Sequence, residues 1–305
     1  MGCLESSHGA VCYTLGMLAS RAWPIVILSV VCCACTVRIA ERDVFPDHRL
    51  RPVSDAVVRR NVQVEMPDGT RLRGWRLTPP SPRYHLVYFY GQGSSVHADA
   101  HKLFWLAEVL DLDILAVDYP GYGFSDGTAT GESLRAASLA IFDAMAGMLE
   151  DDRQPIAVYG HSMGSGFAVW AASQRSRAVV VLEAPFTTVE AMFKNYFERQ
   201  VPWYVRCFVG IKLAEPLRHP RQPIDLIAEM NAPLLVIHGD RDETIPIEFG
   251  RRMFEASASY DKHWCPISGA GHSPIWPERE RNDKLGCLLT FLQLYAAARP
   301  EPSVP

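Results

Sequence analysis

The sequence predicts an α/β protein in which helices cover both faces of a mostly parallel, twisted sheet. Two observations predict this fold class. Short apolar runs typical of strands alternate with helical segments along the chain, and that alternation favours parallel strands joined by crossover helices. Several of the runs, including Ile114–Val117 and Val179–Leu182, are apolar at every position, as expected of strands buried on both faces.

The predicted elements follow one another in a regular order. Two strands flank the Asp68-Gly69 turn within residues 64–75. Further strands, with helices between them, are predicted near residues 86–90, 113–118, 155–159, 178–183, 233–237 and 262–267. The interval from Pro185 to about Ala228 is too long for an ordinary connection and is rich in aromatic residues and proline. We therefore predict a short helical cap inserted there.

Length and composition fit a single enzyme-sized domain. The chain has 305 residues, of which 48% are hydrophobic and 21% charged, so it can bury a sizeable core. We expect a targeting or membrane-anchor segment over residues 1–40 and one α/β domain over 41–305, with the cap at about 185–228. The net charge of −4 and the lack of a basic cluster in the sequence argue against a nucleic-acid partner.

The pentapeptide Gly160-His161-Ser162-Met163-Gly164 is the strongest functional signal in the sequence. It follows the apolar run of a predicted strand and opens an Ala-rich helical stretch, which is the context that a nucleophile elbow requires. The two glycines let strand and helix approach where a Cβ on either side of the serine would clash. The pentapeptide alone also fits a glycine-bounded turn with an incidental serine, and the residues downstream favour Ser162 as a nucleophile.

A serine hydroxyl is a weak nucleophile at neutral pH and needs a histidine base that is held by a carboxylate. In hydrolases with such an elbow, the acid follows the next-to-last strand and the histidine follows the last strand. The predicted strand at 262–267 runs into a glycine-rich loop that contains His272, which we predict to be the base. The predicted strand at 233–237 runs into a loop with three carboxylates, those of Asp240, Asp242 and Glu243.

Acyl transfer also needs donors for the negative charge that develops on the former carbonyl oxygen. One donor is expected from the backbone N–H of Met163, directly after the nucleophile. The second is expected from the glycine-rich loop at 91–95, with the N–H of Gln92 as the candidate and that of Gly93 as the alternative. The same loop is also compatible with a plain Gly/Ser-rich connection. These groups together require no cofactor.

The run His238-Gly239-Asp240-Arg241-Asp242, followed by Ile245-Pro246, resembles the acid loop of the α/β-hydrolase superfamily. In that superfamily the second aspartate of such a run orients the histidine, which implies Asp242 as the acid. The resemblance covers about residues 57–295 and includes the segment 118–127, which is similar to a loop of the family. The sequence resembles the serine aminopeptidase-like and monoacylglycerol-lipase-like hydrolases, including their membrane-associated branch. Tyr90 departs from the family pattern, which commonly has histidine there.

The resemblance implies a serine hydrolase that cleaves carboxylic ester or thioester bonds through an acyl-enzyme intermediate. Its partner would be a small-molecule ester or acyl substrate with an apolar acyl group. Two alternatives stay open, a serine peptidase of the aminopeptidase-like type and a hydrolase-fold binding module without turnover. Phe193 and Trp203 of the cap and Trp276 near His272 are candidates for an acyl pocket, although their rings are equally explained as packing.

Other reactive side chains do not indicate a second chemistry. His97, Asp99 and His101 lie within one helical turn, but the glutamate and third ligand of a metalloprotease helix are missing, so we expect no metal site. The body of the chain has an odd number of cysteines, which does not indicate a disulfide framework. We expect buried or free thiols at Cys207, Cys265 and Cys287.

The N-terminal segment differs in character from the rest. Residues 22–37 carry no charge but are fewer than the roughly 20 apolar residues that a spanning helix needs, which favours a signal-type segment. A start at Met17 would resemble a bacterial lipoprotein signal with Cys35 as the lipidated residue. Residues 1–6 also match the N-myristoylation pattern. We therefore expect an exported or membrane-anchored protein that associates with the membrane through this segment, with a cytoplasmic protein as the alternative.

Overall fold

The sequence folds into alternating strands and helices in the computed structural model, which describes residues 35–39, 60–206, 209–214, 217, 219–272 and 278–296. Numbered along the chain, the strands are β1 (Cys35–Ile39), β2 (Arg60–Glu65), β3 (Arg71–Leu77), β4 (Tyr84–Phe89), β5 (Leu112–Val117), β6 (Ile156–His161), β7 (Ala178–Glu183), β8 (Val209–Leu213), β9 (Leu234–Gly239) and β10 (Lys262–Ile267). The helices are α1 (Ala100–Val109), α2 (Gly131–Gly147), α3 (Met163–Ala172), α4 (Val189–Gln200), α5 (Trp203–Arg206), α6 (Pro223–Glu229), α7 (Ile247–Ala256) and α8 (Glu278–Tyr295).

Eight of the described strands form one sheet in the order β10-β9-β7-β6-β4-β5-β3-β2. Strands β10, β9, β7, β6, β4 and β5 pair in parallel with their neighbours. The hairpin strands β3 and β2 complete the other edge with antiparallel pairing. The predicted fold class is therefore confirmed. Each of the six strands predicted after the hairpin begins within two residues of its predicted start.

The apolar runs of the sequence form the inner strands of the sheet. A strand that is apolar at every position is fully buried only where helices cover both faces of the sheet. Every residue of β4, β5, β6, β7 and β9 is buried. Helices α2, α3, α6 and α7 contact one another in sequence along the sheet. Helices α1 and α8 both direct a lysine, Lys102 and Lys284, to the same carboxylate on β7. Because strands β4 to β7, β9 and β10 pair in parallel, their carboxyl ends lie along one edge of the sheet.

The interval predicted as a cap contains α4, α5, β8 and α6. Strand β8 pairs in parallel with β1, and Cys35 lies opposite Val209. Cys35, the predicted lipidation site, is thus the first residue of a described strand. The predicted targeting residues up to 34 and Trp276 lie outside the described residues. Within the described ranges, no helix combines the length and the apolar character that crossing a bilayer would require.

A disulfide links β10 to α8. It joins Cys265 to Cys287 with a Cα–Cα distance of 6.4 Å, so the expectation of free thiols is wrong for these two residues. The odd number of cysteines in the body misled the prediction because parity carries no information about which side chains meet in space. The bridge spans 22 positions of sequence and encloses the loop that carries His272.

We expect replacement of both bridged cysteines by alanine to destabilise the protein by about 3 kcal/mol, because a bridge that closes a loop of this length restricts the unfolded chain. Urea unfolding of the wild type and the Cys265→Ala/Cys287→Ala variant would measure the difference. A reducing agent should lower the wild type to the stability of the variant and leave the variant unchanged. Equal stability of the two oxidised proteins would contradict the expectation.

Candidate active site

The turn between β6 and α3 has the geometry of a nucleophile elbow. Ser162 lies at its apex with φ 52° and ψ −121°, a conformation that residues other than glycine rarely adopt. A Cβ on Gly160 would lie 2.5 Å from the carbonyl oxygen of Gly164, and a Cβ on Gly164 would lie 2.2 Å from that of Phe89. Both positions need glycine because the backbones of β4, β6 and α3 approach too closely for a larger residue.

The structure brings Ser162, His272 and Asp242 into one hydrogen-bonded chain. His272 Nε2 lies 2.9 Å from Ser162 Oγ, and His272 Nδ1 lies 2.7 Å from Asp242 Oδ2. The three residues follow β6, β10 and β9, whose carboxyl ends share one edge of the parallel sheet. When Nδ1–H donates to Asp242, the lone pair of Nε2 faces the Ser162 hydroxyl. This arrangement lets His272 accept the proton of Ser162.

The geometry distinguishes Asp242 from the two other carboxylates of its loop. Asp242 is buried, and its Oδ1 accepts the backbone N–H groups of Thr244 and Ile245, each at 2.8 Å. Asp240 and Glu243 are exposed, and the Asp240 carboxylate accepts a backbone N–H of the neighbouring loop. The fold thus orients the Asp242 carboxylate. Its Oδ1 accepts two backbone N–H groups, and its Oδ2 faces His272.

The Asp242 carboxylate is held in its charged form. Burial by itself raises the pKa of Asp242, but His238 and His272 outweigh this effect and hold the pKa below its usual range. His238 Nε2 lies 3.5 Å from Asp242 Oδ2 and 2.8 Å from the carbonyl oxygen of Ile245. An ionised Asp242 fixes the orientation of His272 and stabilises the imidazolium that forms when His272 takes up a proton.

His161, the second residue of the pentapeptide, supports the His272 loop. Its Nε2 lies 3.1 Å from the carbonyl oxygen of His272, which only a protonated Nε2 can bind as a donor. Its Nδ1 is buried and has no hydrogen-bond partner among the described residues. Burial lowers the pKa of His161 to about 3, so the ring is neutral at pH 7. The sequence predicts His161 only as part of the elbow, because this contact joins residues 111 positions apart.

The loop between β4 and α1 lies against the nucleophile. A Cβ on Gly91 would lie 2.9 Å from His161 Nδ1 and 3.2 Å from Ser162 Cβ, so a larger residue at Gly91 would force the loop away from the elbow. The backbone then turns, with the N–H of Ser94 donating to the carbonyl oxygen of Gly91 and with Gly93 at φ 75°. Gln92 is therefore at the corner of a turn that begins beside Ser162.

Tyr90 occupies the position where the family pattern commonly has histidine, and it fixes the same loop by other contacts. Its hydroxyl donates to Asp118 Oδ1 at 3.2 Å and accepts the backbone N–H of Tyr119 at 3.0 Å. The Tyr119 hydroxyl in turn donates to the carbonyl oxygen of Tyr90 at 2.9 Å. Asp118 also accepts the N–H of Val96 at 2.8 Å, and burial raises the pKa of its carboxyl. These bonds tie the loop to the end of β5.

A buried ionic cluster lies beneath the elbow. The Glu183 carboxylate is 2.9 Å from Lys102 Nζ and 3.0 Å from Lys284 Nζ, and all three residues are buried. Burial would raise the pKa of Glu183, but the two lysines hold it well below its usual range. The backbone carbonyl of Glu183 accepts the N–H of Ser162 at 2.9 Å. Sequence reasoning missed this cluster, although a glutamate directly after the apolar run of β7 was a detectable signal.

An apolar cavity begins at Met163 and extends along α3. Its volume is about 80 Å³, so it is a narrow cavity, smaller than most small-molecule sites. The apolar side chains that line it include those of Met163, Phe167, Trp170, Phe186, Met192 and Leu226. At the Trp170 end, the Arg135 guanidinium lies 5.4 Å from the Trp170 ring, and the His219 ring lies 5.1 Å from it.

Two of the predicted acyl-pocket aromatics, Phe193 and Trp203, are not on this cavity. Phe193 packs against the edge of the hydrophobic core, and Trp203 is 75% exposed. Neither lines the cavity. The cavity aromatics instead come from α3 and from the segment after β7, because a helix directs only one of its faces toward a given neighbour and the sequence does not show which face that is.

His97 and Asp99, which precede α1, are engaged in packing and hydrogen bonds. The His97 ring packs 4.5 Å from that of Trp75, and Asp99 accepts the hydroxyls of Tyr88 and Ser94 at 2.6 and 2.7 Å. Across the part of the chain that the structure describes, no group of three or more His, Cys, Asp or Glu side chains is arranged to hold a metal ion.

Sheet order, elbow and loop positions together define an α/β-hydrolase fold. Residues 93–224 match the model of the alpha/beta hydrolase family. An uncharacterized protein of Mycobacterium tuberculosis is 31% identical over 240 residues, covering 75% of this chain and 78% of that protein. Human protein ABHD12B is 29% identical over 184 residues, covering 55% of this chain and 49% of that protein. The chain belongs to the α/β-hydrolase family.

Solved structures agree on the fold. An esterase of Pyrococcus furiosus superposes with a TM-score of 0.63 at 20% identity, covering 81% of this chain and 97% of that chain. An acetyl xylan esterase of a Paenibacillus species superposes with a TM-score of 0.58 at 19% identity, covering 81% of this chain and 88% of that chain. At this identity the likeness is one of fold.

We expect the neutral His161 to make the fold acid-sensitive. Its pKa falls from 6.5 to about 3 on folding, so its contribution to stability is complete above pH 6.5 and is lost as the pH falls and the unfolded chain takes up the proton. Between pH 7 and pH 5 this amounts to about 2 kcal/mol. A His161→Gln variant, which keeps an N–H donor but does not titrate, should lose about that much less. Urea unfolding at the two pH values would test this, and identical losses in both proteins would refute it.

Proposed function

We propose that the protein is a serine hydrolase that cleaves carboxylic ester or thioester bonds through an acyl-enzyme intermediate. Ser162 is the nucleophile, His272 the general base and acid, and Asp242 the residue that orients His272. The observation that carries the proposal is the continuous chain of 2.9 and 2.7 Å contacts that joins these three side chains from distant parts of the sequence. Membership of the α/β-hydrolase family supports it.

In the first half-reaction, the Ser162 hydroxyl attacks the acyl carbonyl while His272 Nε2 takes its proton. The negative charge that forms on the carbonyl oxygen is bound by the backbone N–H groups of Met163 and Gln92. His272 then protonates the leaving alcohol or thiol, and the acyl group stays on Ser162. In the second half-reaction His272 activates water, which attacks the acyl-enzyme and releases the acid.

The placement of both oxyanion donors has local support. Met163 is the first residue of α3, where backbone N–H groups lack partners within the helix. Gln92 is at the corner of the turn that starts at Gly91, beside Ser162. The bonds of Tyr90 to the β5 end hold this turn in place before substrate binds, which is the preorganisation that oxyanion stabilisation needs.

The cavity at Met163 is proposed as the acyl site. It starts at the residue that donates to the oxyanion and follows α3 as far as Trp170. Seven residues of helix advance about 10 Å, and a zigzag acyl chain with bonds of ~1.5 Å advances ~1.3 Å per bond, so a chain of roughly nine carbons has this length. The proposed pocket therefore uses Phe167 and Trp170 rather than Phe193 and Trp203. The predominantly apolar lining favours an acyl group over a charged peptide N-terminus.

We expect Ser162→Ala to abolish labelling by a fluorophosphonate and to lower esterase kcat/KM by about 10³-fold or more, because the nucleophile is lost while the oxyanion donors stay. Ser173→Ala is the matched control, since the Ser173 hydroxyl only caps the end of α3 by donating to Trp170. Labelling is measured by intact-protein mass, and rates with ester, thioester and aminoacyl substrates.

The outcomes separate the alternatives. A folded wild type that takes up no label would be a binding module and would overturn the proposal. Turnover of aminoacyl substrates alone would identify a peptidase. Equal labelling of wild type and Ser162→Ala would place the nucleophile elsewhere.

We expect Gly166→Val to shift the acyl-length preference towards short chains. A Cβ on Gly166 points into the cavity, 3.0 Å from Phe186 Cζ and 3.5 Å from Pro223 Cγ. Loss of space for two methylenes should lower kcat/KM for octanoate relative to acetate about tenfold. Gly147→Val is the control, because a Cβ on Gly147 meets nothing within 4 Å. An unchanged ratio of p-nitrophenyl octanoate to acetate hydrolysis in Gly166→Val would rule out this acyl site.

A further inference from the structure

Exposed aromatic side chains gather on the cap. Trp203 is 75% exposed, Tyr204 58% and Tyr196 57%, and the rings of Trp203 and Tyr204 pack on each other at 5.9 Å. We refer to Tyr196, Trp203 and Tyr204 as the cap face. Helices α4 and α5, which carry it, contain no buried residue. Three large aromatic rings held in water within nine residues indicate a surface that another phase or partner covers.

The N-terminal segment enters the described structure next to this face. The uncharged residues 22–34 lead directly into β1, and Cys35 pairs with Val209 at the start of β8. Paired strands lie about 4.8 Å apart. Strand β8 in turn contacts both α4 and α5. The end of the segment that resembles a signal or anchor is therefore fixed beside the helices that carry the cap face.

The charge of this region is opposite to that of the whole chain. Between residues 189 and 213 there are two acidic residues, Glu190 and Glu198, and four basic ones, so the region has a net charge of +2 while the chain has −4. The basic side chains are all exposed and are those of Lys194, Arg199, Arg206 and Lys212. Basic residues around exposed tryptophan and tyrosine are the combination that suits an anionic lipid surface.

We propose that the cap face docks onto a phospholipid bilayer beside the N-terminal segment. Trp203, Tyr204 and Tyr196 enter the interfacial region, where an aromatic ring with a polar edge is most stable, and the four basic residues contact lipid headgroups. An anchor at or before Cys35 and the cap face would then reach the same membrane, and two weak attachments would combine into a stable one.

The cap face adjoins the apolar cavity. Val189 and Met192 of α4 line the cavity, and Tyr196 lies one turn further along the same face of this helix. Docking would therefore place the end of the cavity wall at the lipid surface, where acyl substrates partition. This consequence rests on the proposed acyl site, whereas the docking itself does not.

Vesicle binding of the full-length protein tests the proposal. Sedimentation with phosphatidylcholine vesicles, with or without phosphatidylglycerol, measures the binding of three proteins. These are the wild type, the double variant Trp203→Ser/Tyr204→Ser and the control Tyr260→Ser. Tyr260 is 94% exposed and lies outside the cap. We expect the double variant to bind about tenfold more weakly, since losing roughly 1.4 kcal/mol of interfacial burial is tenfold. The control should bind like the wild type, and binding should strengthen with phosphatidylglycerol.

A second measurement is needed in case the N-terminal segment alone binds the protein to vesicles, because sedimentation would then not report on the cap face. Fluorescence quenching shows whether Trp203 itself contacts the lipid. Brominated phosphatidylcholine should quench wild-type fluorescence more than that of Trp203→Phe, and the difference isolates Trp203. Absence of wild-type binding to either vesicle, or the lack of a quenching difference, would overturn the proposal. Two further results would also overturn it. If the wild type forms a dimer without lipid and the double variant does not, the cap face binds a second copy. If the double variant has a lower unfolding midpoint than the wild type without lipid, the cap face is covered by this chain's own N-terminal residues.

Discussion

The arrangement of the site depends on one close approach of backbones, that of β6 to the start of α3. Gly160 and Gly164 permit it, and Ser162 accepts a strained φ of 52° as a result. This turn lifts the hydroxyl above the sheet edge at which β9 and β10 end, so loops that leave those strands can deliver Asp242 and His272. A looser turn would leave the three side chains on the same sheet edge without the 2.9 and 2.7 Å contacts that join them.

The strain of the elbow is held by buried polar contacts. Glu183 accepts the Ser162 N–H through its backbone, and its carboxylate binds Lys102 of α1 and Lys284 of α8. Glu280, also buried, lies 3.6 Å from Lys284, so two carboxylates face two ammonium groups. Such a cluster offsets the desolvation of its charges only when the geometry is well defined, and it thereby favours one relative position of β7, α1 and α8. The neutral His161 fits this pattern, because burial disfavours its protonation more strongly than the nearby Glu183 carboxylate favours it.

The sequence was sufficient to predict the elements that depend on a local residue pattern or on the order of residues along the chain. Apolar runs gave the inner strands, the glycine spacing gave the elbow, and the order along the chain gave His272. Asp242 needed the resemblance, because three carboxylates share its loop and only burial separates them. The Cys265–Cys287 bridge and the cavity were not predictable in this way, since both depend on which side chains meet in space. Trp170 lines the cavity and Trp203 faces water, yet both are tryptophans in aromatic-rich helical stretches.

The proposed acyl site and the proposed membrane contact meet on helix α4. It has no fully buried residue, and Val189 and Phe193 are its side chains that pack partly buried against the core. Its packing on the body therefore contributes less stability than that of a buried helix, and its position depends more on what it contacts. An acyl chain in the cavity would contact Val189 and Met192, and a bilayer would contact Tyr196 one turn further along the same face of α4. Each ligand favours the same position of α4, and two ligands that favour one state of a protein strengthen each other's binding. Weak burial of the cap is therefore the property that would couple access to the nucleophile with contact to the lipid surface.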